Sequence, residues 1–158
     1  MRASVGALLS LAVAACAGGS RSGPETFQAK LDSASEVPAP SVGSATPSGT
    51  ATFTNSGTSI AYKVTVTGLS GPATAAHIHT GVVGASGPVV VPLALTAGPD
   101  GTAAGEGSID EAAIKGKNAD GSPMTLNDLL TAMRAGGTYV NVHSASNKPG
   151  EIRGQITR

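Results

Sequence analysis

From residue 26 to the end of the chain, apolar side chains recur at every second position far more often than at every third or fourth. Ile60, Tyr62, Val64 and Val66 alternate with Ala61, Lys63 and Thr65, the pattern of a strand that buries one face. Gly68 and the Gly71-Pro72 pair end it. The same reading predicts further strands over residues 27–31, 49–54, 74–79, 89–95, 105–109, 138–143 and 151–157. Short strands in this number, punctuated by Gly, Pro, Asn and Ser, predict an antiparallel sandwich or barrel.

One helix stands out. Thr125 caps it with Asp128 three residues on, Leu126, Leu129, Leu130 and Met133 form an apolar stripe, and Gly136-Gly137 ends it. A stripe of this kind faces a core. A weaker helical signal covers residues 110–115. The terminal hairpin can be registered from its pattern: with His143 opposite Glu151, Val142 faces Ile152 and Val140 faces Gly154, so that Val140, Val142, Ile152 and Ile156 share a face. A slip of one residue would scatter that set over both faces. The other face carries Tyr139, Asn141, His143, Glu151, Arg153 and Gln155, away from the core. On this register Val142→Asp is expected to be costly and Asn141→Asp mild by comparison.

Composition narrows the functional classes. At 158 residues the chain holds one domain of ordinary size. Of the 40% apolar residues, 26 are Ala, so the core is thin and built from Val, Leu and Ile. Net charge is zero and only 13% of residues are charged; no basic field is available to hold a nucleic-acid backbone, and nucleic acid is excluded as an expected partner. With no Trp, two Phe and two Tyr, aromatic stacking platforms for bases or sugars are not expected either.

The amino terminus reads as a secretion signal. Met1 and Arg2 form a short positive region, and the apolar stretch from Val5 to Ala15 is too short to span a bilayer as an ordinary helix. Its end, Val13-Ala14-Ala15-Cys16, resembles the lipobox of bacterial lipoproteins, in which the cysteine is lipidated and becomes the first mature residue. Cys16 is the only cysteine, so on this reading none remains for a disulfide or a nucleophile. The expected organisation is a signal peptide over residues 1–15, a lipid-anchored flexible tether over 16–25 and a domain over 26–158. The membrane is then a partner through the lipid on Cys16. Ala17, where an Asp would favour inner-membrane retention, leans the expected location toward the outer membrane or cell surface.

Two segments carry most of the individuality of the chain: Ala75-Ala76-His77-Ile78-His79-Thr80-Gly81, and Tyr139-Val140-Asn141-Val142-His143 leading through Pro149-Gly150 to Glu151-Ile152-Arg153-Gly154-Gln155-Ile156. In this order and separation they resemble the CHRD family, the domain repeated in chordin and found singly in secreted bacterial proteins. Leu31, Glu36, Val37, Pro38 and Gly49-Thr50-Ala51 match the start of that pattern. The resemblance implies an all-β fold, an antiparallel immunoglobulin-like β-sandwich with Greek-key character and one short helix, and it implies little chemistry.

All three histidines lie inside these segments. Residues two apart on a strand point the same way, so His77 and His79 share the face opposite Ile78, and His143 lies opposite Val140 and Val142. If the two strands are neighbours, three imidazoles converge, an arrangement suited to zinc or copper. Glu151 is a candidate fourth ligand, or a partner orienting His143. His-x-His on a sandwich strand is similar to the copper site of copper-zinc superoxide dismutase, which uses further histidines and an aspartate that this chain cannot supply. The alternative is structural: His79 and His143 brace the turn at Gly81 and the loop at 144–150, with Glu151 across the strand from His143. Arg153 either clamps a carboxylate or loop carbonyl or is solvated beside Glu151. The Gly- and Pro-rich connection 81–88 is a binding loop or a plain turn.

No Gly-x-Ser-x-Gly elbow, His-Glu-x-x-His helix or paired catalytic carboxylates occur. The expectation is a cell-envelope lipoprotein whose domain is a binding or structural module; the rival is a copper or zinc protein, with or without minor redox activity, using His77, His79 and His143.

Overall fold

A computed structural model describes residues 23–158. The expected signal peptide, Cys16 and the tether as far as residue 22 lie outside the described residues. The strands are β1 (Glu25–Asp32), β2 (Ser48–Asn55), β3 (Ile60–Thr67), β4 (Ala73–Thr80), β5 (Val89–Leu93), β6 (Thr96–Ala97), β7 (Ala103–Ile109), β8 (Thr138–Ser144) and β9 (Ile152–Gln155), with helix α1 (Leu126–Arg134) between β7 and β8. Among the described residues the fold is all-β with one α-helix, as the strand alternation and the helical stripe predict, and Glu25, expected in the tether, already belongs to β1. Among the described residues no helix is long and apolar enough to cross a membrane.

All strand pairs are antiparallel and form one sheet in the order β5-β4-β8-β9-β1-β2-β3-β7-β6. β3 shows why: Ile60, Tyr62, Val64 and Val66 are buried while the residues between them are exposed, and Phe27, Ala29 and Leu31 of β1 and Ala51 and Phe53 of β2 repeat the pattern. A sheet with one apolar face must fold that face onto something. Here it curls onto itself, giving the sandwich-like interior. Two positions enforce the curl. The predicted strand 89–95 ends early, at Leu93, as β5 at one edge, and β6 begins at Thr96 at the other, with only Ala94 and Leu95 between them, so the edges must meet. Ala94 N–H donates to Tyr62 Oη at 2.8 Å, and Gly105 lies so close to the Ala94 carbonyl that a Cβ would overlap it. Pro92, lacking an N–H, fits β5 because that strand is an edge. The other position is the corner between β9 and β1, where ladder pairing shrinks to Asp32 opposite Arg153 and a bridge between Gln28 and Thr157. Gly154 permits that corner, since a side chain there would strike the Lys30 carbonyl.

Helix α1 closes the interior with Leu126, Leu129, Leu130 and Met133, all buried. Its capping box is formed: Thr125 Oγ1 accepts from Asp128 N–H at 3.1 Å, and Asp128 accepts from Thr125 N–H at 2.9 Å. The weaker helical signal becomes a single 3-10 turn, Glu111–Ala113. Arg134 at the end of α1 pairs with Glu25 at 2.6 Å, and Arg158 reaches the same carboxylate. These two guanidinium partners hold the Glu25 carboxyl down to about 2.

The β8-β9 hairpin has the predicted register, with Val140 opposite Gly154 and Val142 opposite Ile152. Val140, Val142, Ile152 and Ile156 are all buried. The second face departs from expectation. Tyr139, Asn141 and Arg153 are also buried there, because segments 33–47 and 81–88 fold over them. Asn141 Nδ2 donates to Glu36, Asn147 and Ser41 exchange hydrogen bonds, and Arg153 holds the carbonyls of Val82 and Ala85. The hairpin is therefore enclosed on both sides, by hydrocarbon on one and by a polar cluster on the other. Arg153 is not solvated; of the alternatives read from the sequence, it clamps loop carbonyls.

Candidate metal centre

Strands β4 and β8 are neighbours, with His77 opposite Asn141, His79 opposite Tyr139 and His143 opposite Ala75. The side-chain period of two puts His77, His79 and His143 on one face of the sheet. Ala75, directly across from His143, has only a methyl group, which leaves His143 space to lean toward His77. Their rings are 5.0 Å apart between centroids, and His77 and His79 are 5.7 Å apart. His77 Nδ1 lies 3.1 Å from His143 Nε2. One ring nitrogen from each histidine can be chosen so that all lie within 4.8 Å of one another. In a tetrahedral site with Zn–N bonds of about 2.0–2.1 Å, the nitrogens stand about 3.3 Å apart. A contraction of about 1.5 Å or less separates this arrangement from such a site.

Hydrogen bonds set which nitrogens are free. His79 Nδ1–H donates to the Gly87 carbonyl at 2.9 Å, and His143 Nδ1–H donates to the Lys148 carbonyl at 2.7 Å. Each bond fixes the Nδ1–H tautomer and leaves the Nε2 lone pair for another partner. His79 Nε2 is buried and has no hydrogen-bond partner among the described residues, a costly state for a polar atom. A metal ion would satisfy it. The two readings drawn from the sequence thus coexist in the same rings. Nδ1 of His79 braces loop 81–88 and Nδ1 of His143 braces loop 144–150, while His79 Nε2 is without a partner and His143 Nε2 accepts from His77 Nδ1–H, a hydrogen bond that a metal ion would replace.

Burial pushes the His77 imidazole down to about 4, and the charges that His143 and His79 would carry push it the same way. Burial also lowers His79, against the opposing hydrogen bond to Gly87. Ligation needs neutral imidazole, and His77 is neutral at pH 7. Because its folded value lies below its unfolded one of 6.5, the contribution of His77 to stability is fully present above about 6.5 and is lost as pH falls toward 4. Tyr139 stacks on His79 at 4.8 Å and 12° between planes, and the Arg153 guanidinium carbon lies 3.3 Å from the centre of the Tyr139 ring. The stack holds the His79 ring in place.

Glu151 is not at the histidines. β9 begins only at Ile152, and the Glu151 carboxylate accepts from Ser70 N–H at 2.6 Å, Ser70 Oγ at 2.9 Å, Asn147 Nδ2 at 3.2 Å and the Ser144 hydroxyl. Ser144 follows His143 and so points to the opposite side of β8. Burial raises the Glu151 carboxyl, but donation from Ser144, Ser70 and Asn147 outweighs it and leaves it low. Its work is to pin the loop before β4 to the hairpin. The partner that orients His143 is the Lys148 carbonyl instead.

Sequence reading put Tyr139 and Asn141 on this side of the molecule but missed Glu36 and the burial of all three. Glu36 is a matched position at the start of the family pattern, which was the available signal; nothing in spacing ties it to Asn141, 105 residues away.

No match was found among curated proteins or among solved structures. A family model, described as the CHRD domain, matches residues 27–156, from β1 to the end of the terminal hairpin and across both histidine segments. The chain belongs to the CHRD domain family.

Proposed function

We propose that this protein is a cell-envelope lipoprotein, anchored through Cys16, whose CHRD domain is a binding module that holds a copper or zinc ion on His77, His79 and His143. The observations that carry the metal reading are the convergence of three ring nitrogens, one from each histidine, within 4.8 Å, and a buried His79 Nε2 without a partner among the described residues. Imidazole nitrogen suits both metals, and three such ligands leave a fourth position on a tetrahedral ion for water or an outside donor. The backbone carbonyls of Gly87 and Lys148 would orient two of the ligands from behind, as carbonyls and carboxylates do at many metal sites. The lipobox-like end of the apolar leader supports the anchor.

Metal uptake is measured on full-length protein without a polyhistidine tag, stripped with chelator and titrated with zinc and with copper. One equivalent of at least one of the metals is expected to bind tightly, and His77→Ala is expected to abolish stoichiometric uptake. The circular dichroism spectrum should not change, because His77 is partly exposed and braces no loop. A wild-type protein that takes up neither metal stoichiometrically sinks the reading and leaves the histidines as braces. In that case His143→Ala still lowers the melting temperature.

The anchor is tested separately by mass spectrometry of protein from the membrane fraction. A di- or triacylated terminus at Cys16 is expected; an intact Met1 terminus contradicts it.

A further inference from the structure

The large apolar side chains exposed among the described residues are Val37, Val82, Val83 and Val89. Three of them gather at one place. Val37 and Val83, with Ala34, Gly84, Gln155 and Arg153, line a cleft of about 300 Å³ between the segments that cover the hairpin. Val82 stands beside Val83, its carbonyl held by Arg153. Small-molecule cavities begin at about this volume and combine apolar walls with a few fixed polar groups.

The polar group is unusual. Arg153 is 2% exposed. Its Nη2 donates to Val82 O at 3.1 Å and Ala85 O at 2.6 Å, while Nη1 is buried without a partner among the described residues. The ion pairs of the described residues join Glu25 to Arg134 and to Arg158, and none involves Arg153. Glu36, buried on the same side, feels the charge of Arg153 but turns its oxygens to Asn141 Nδ2 and to Val37 N–H and makes no hydrogen bond to the guanidinium. A guanidinium removed from water with half its fork unused calls for an anion.

We propose that this cleft binds a small aliphatic carboxylate, with its hydrocarbon end against Val37 and Val83 and its carboxylate on Arg153 Nη1. Val83 and Gly84 make no hydrogen bond among the described residues, so displacement of this loop tip is the route by which the ligand reaches Nη1. The site does not depend on a metal at the histidines, although Tyr139 touches both His79 and Arg153.

Full-length protein stripped with chelator is titrated calorimetrically with isovalerate, with neutral isovaleramide and with acetate. Isovalerate is expected to bind saturably at one site. Isovaleramide, without the charge, and acetate, without the branched chain, should each bind about tenfold more weakly or worse, a difference of about 1.4 kcal/mol. Val83→Ser should weaken isovalerate severalfold with the melting temperature unchanged, since Val83 is 79% exposed. Arg153→Lys also cuts the clamp on Val82 and Ala85, so the amide and Val83→Ser decide the matter. No saturable binding of isovalerate, equal binding of acid and amide, or no effect of Val83→Ser overturns the proposal. Displacement of isovalerate at lower concentration by N-acetyl-Ala-Val overturns the assignment to a free acid.

Discussion

Val142→Asp is expected to remove about 4 kcal/mol or more of folding stability, enough to leave a domain of this size largely unfolded. Val142 is fully enclosed, and the residues paired with it, Ile152 on β9 and Ala76 on β4, are hydrocarbon, as is Val140 two positions before it. A carboxylate there meets no uncommitted donor, since the Ser144 hydroxyl on this face already donates to Glu151. It either remains charged against a large desolvation cost or takes up a proton and still forfeits the packing of the valine. Denaturant unfolding followed by far-ultraviolet circular dichroism measures the loss. Ala61→Asp, on the exposed side of β3, is the control and should change stability by about 0.5 kcal/mol or less. Equal effects of the two substitutions would mean that the hairpin face does not form the interior.

Asn141→Asp is expected to cost about 3 kcal/mol at neutral pH, against the mild effect that the strand pattern alone suggests. Asn141 is 2% exposed and gives its amide hydrogen to Glu36 Oε2. Gly150 packs against both groups, where a side chain would strike them. The substitution replaces a donor with a second carboxyl group in hydrogen-bond contact with the first. Burial already raises the Glu36 carboxyl, despite the opposing effects of Val37 N–H, Arg153 and Asn141. Two adjacent carboxyls raise the pair further, since both cannot ionise together. The sign follows: a carboxyl with a raised folded-state value folds best protonated, and its stability is lost as pH rises through that value. The Asn141→Asp protein should therefore lose least stability near pH 4.5 and most above pH 7, read as the difference in melting temperature from wild type at each pH. A small deficit that does not vary with pH would show that Asn141 and Glu36 are not in contact.

The polar cluster also explains why one hairpin can serve two purposes. Its hydrocarbon face supplies the interior, and its other face carries His143, beside His77 and His79 of the neighbouring β4, together with Arg153, while Tyr139 touches both His79 and Arg153. Rigid strands place these groups, while loops 81–88 and 144–150 lend backbone carbonyls to His79, His143 and Arg153. Placing the chemistry on strands keeps its geometry tight, and covering it with loops leaves access adjustable.

What the sequence by itself determined is everything that depends on local period. The alternation of Ile60, Tyr62, Val64 and Val66 was enough for β3, Thr125 and Asp128 for the start of α1, and the single apolar face of 140–156 for the hairpin register, because a slip by one residue would invert every side chain. The same period put His77 and His79 on a common face, and the two motifs identified the family. What only the tertiary structure decided is what covers a face. Segments 33–47 and 81–88 have no period, and their contacts with Asn141, Asn147 and Arg153 span 68 to 106 residues. Whether Asn141 and Arg153 meet water or a buried carboxylate and loop carbonyls is set by those distant segments. The same holds for Glu151, which lies beside His143 by strand counting yet binds Ser70, 81 residues away. Hydrogen bonds to a buried carboxylate are won by whichever donors the closed chain brings within 3 Å, and strand alternation carries no information about them once the strand has ended.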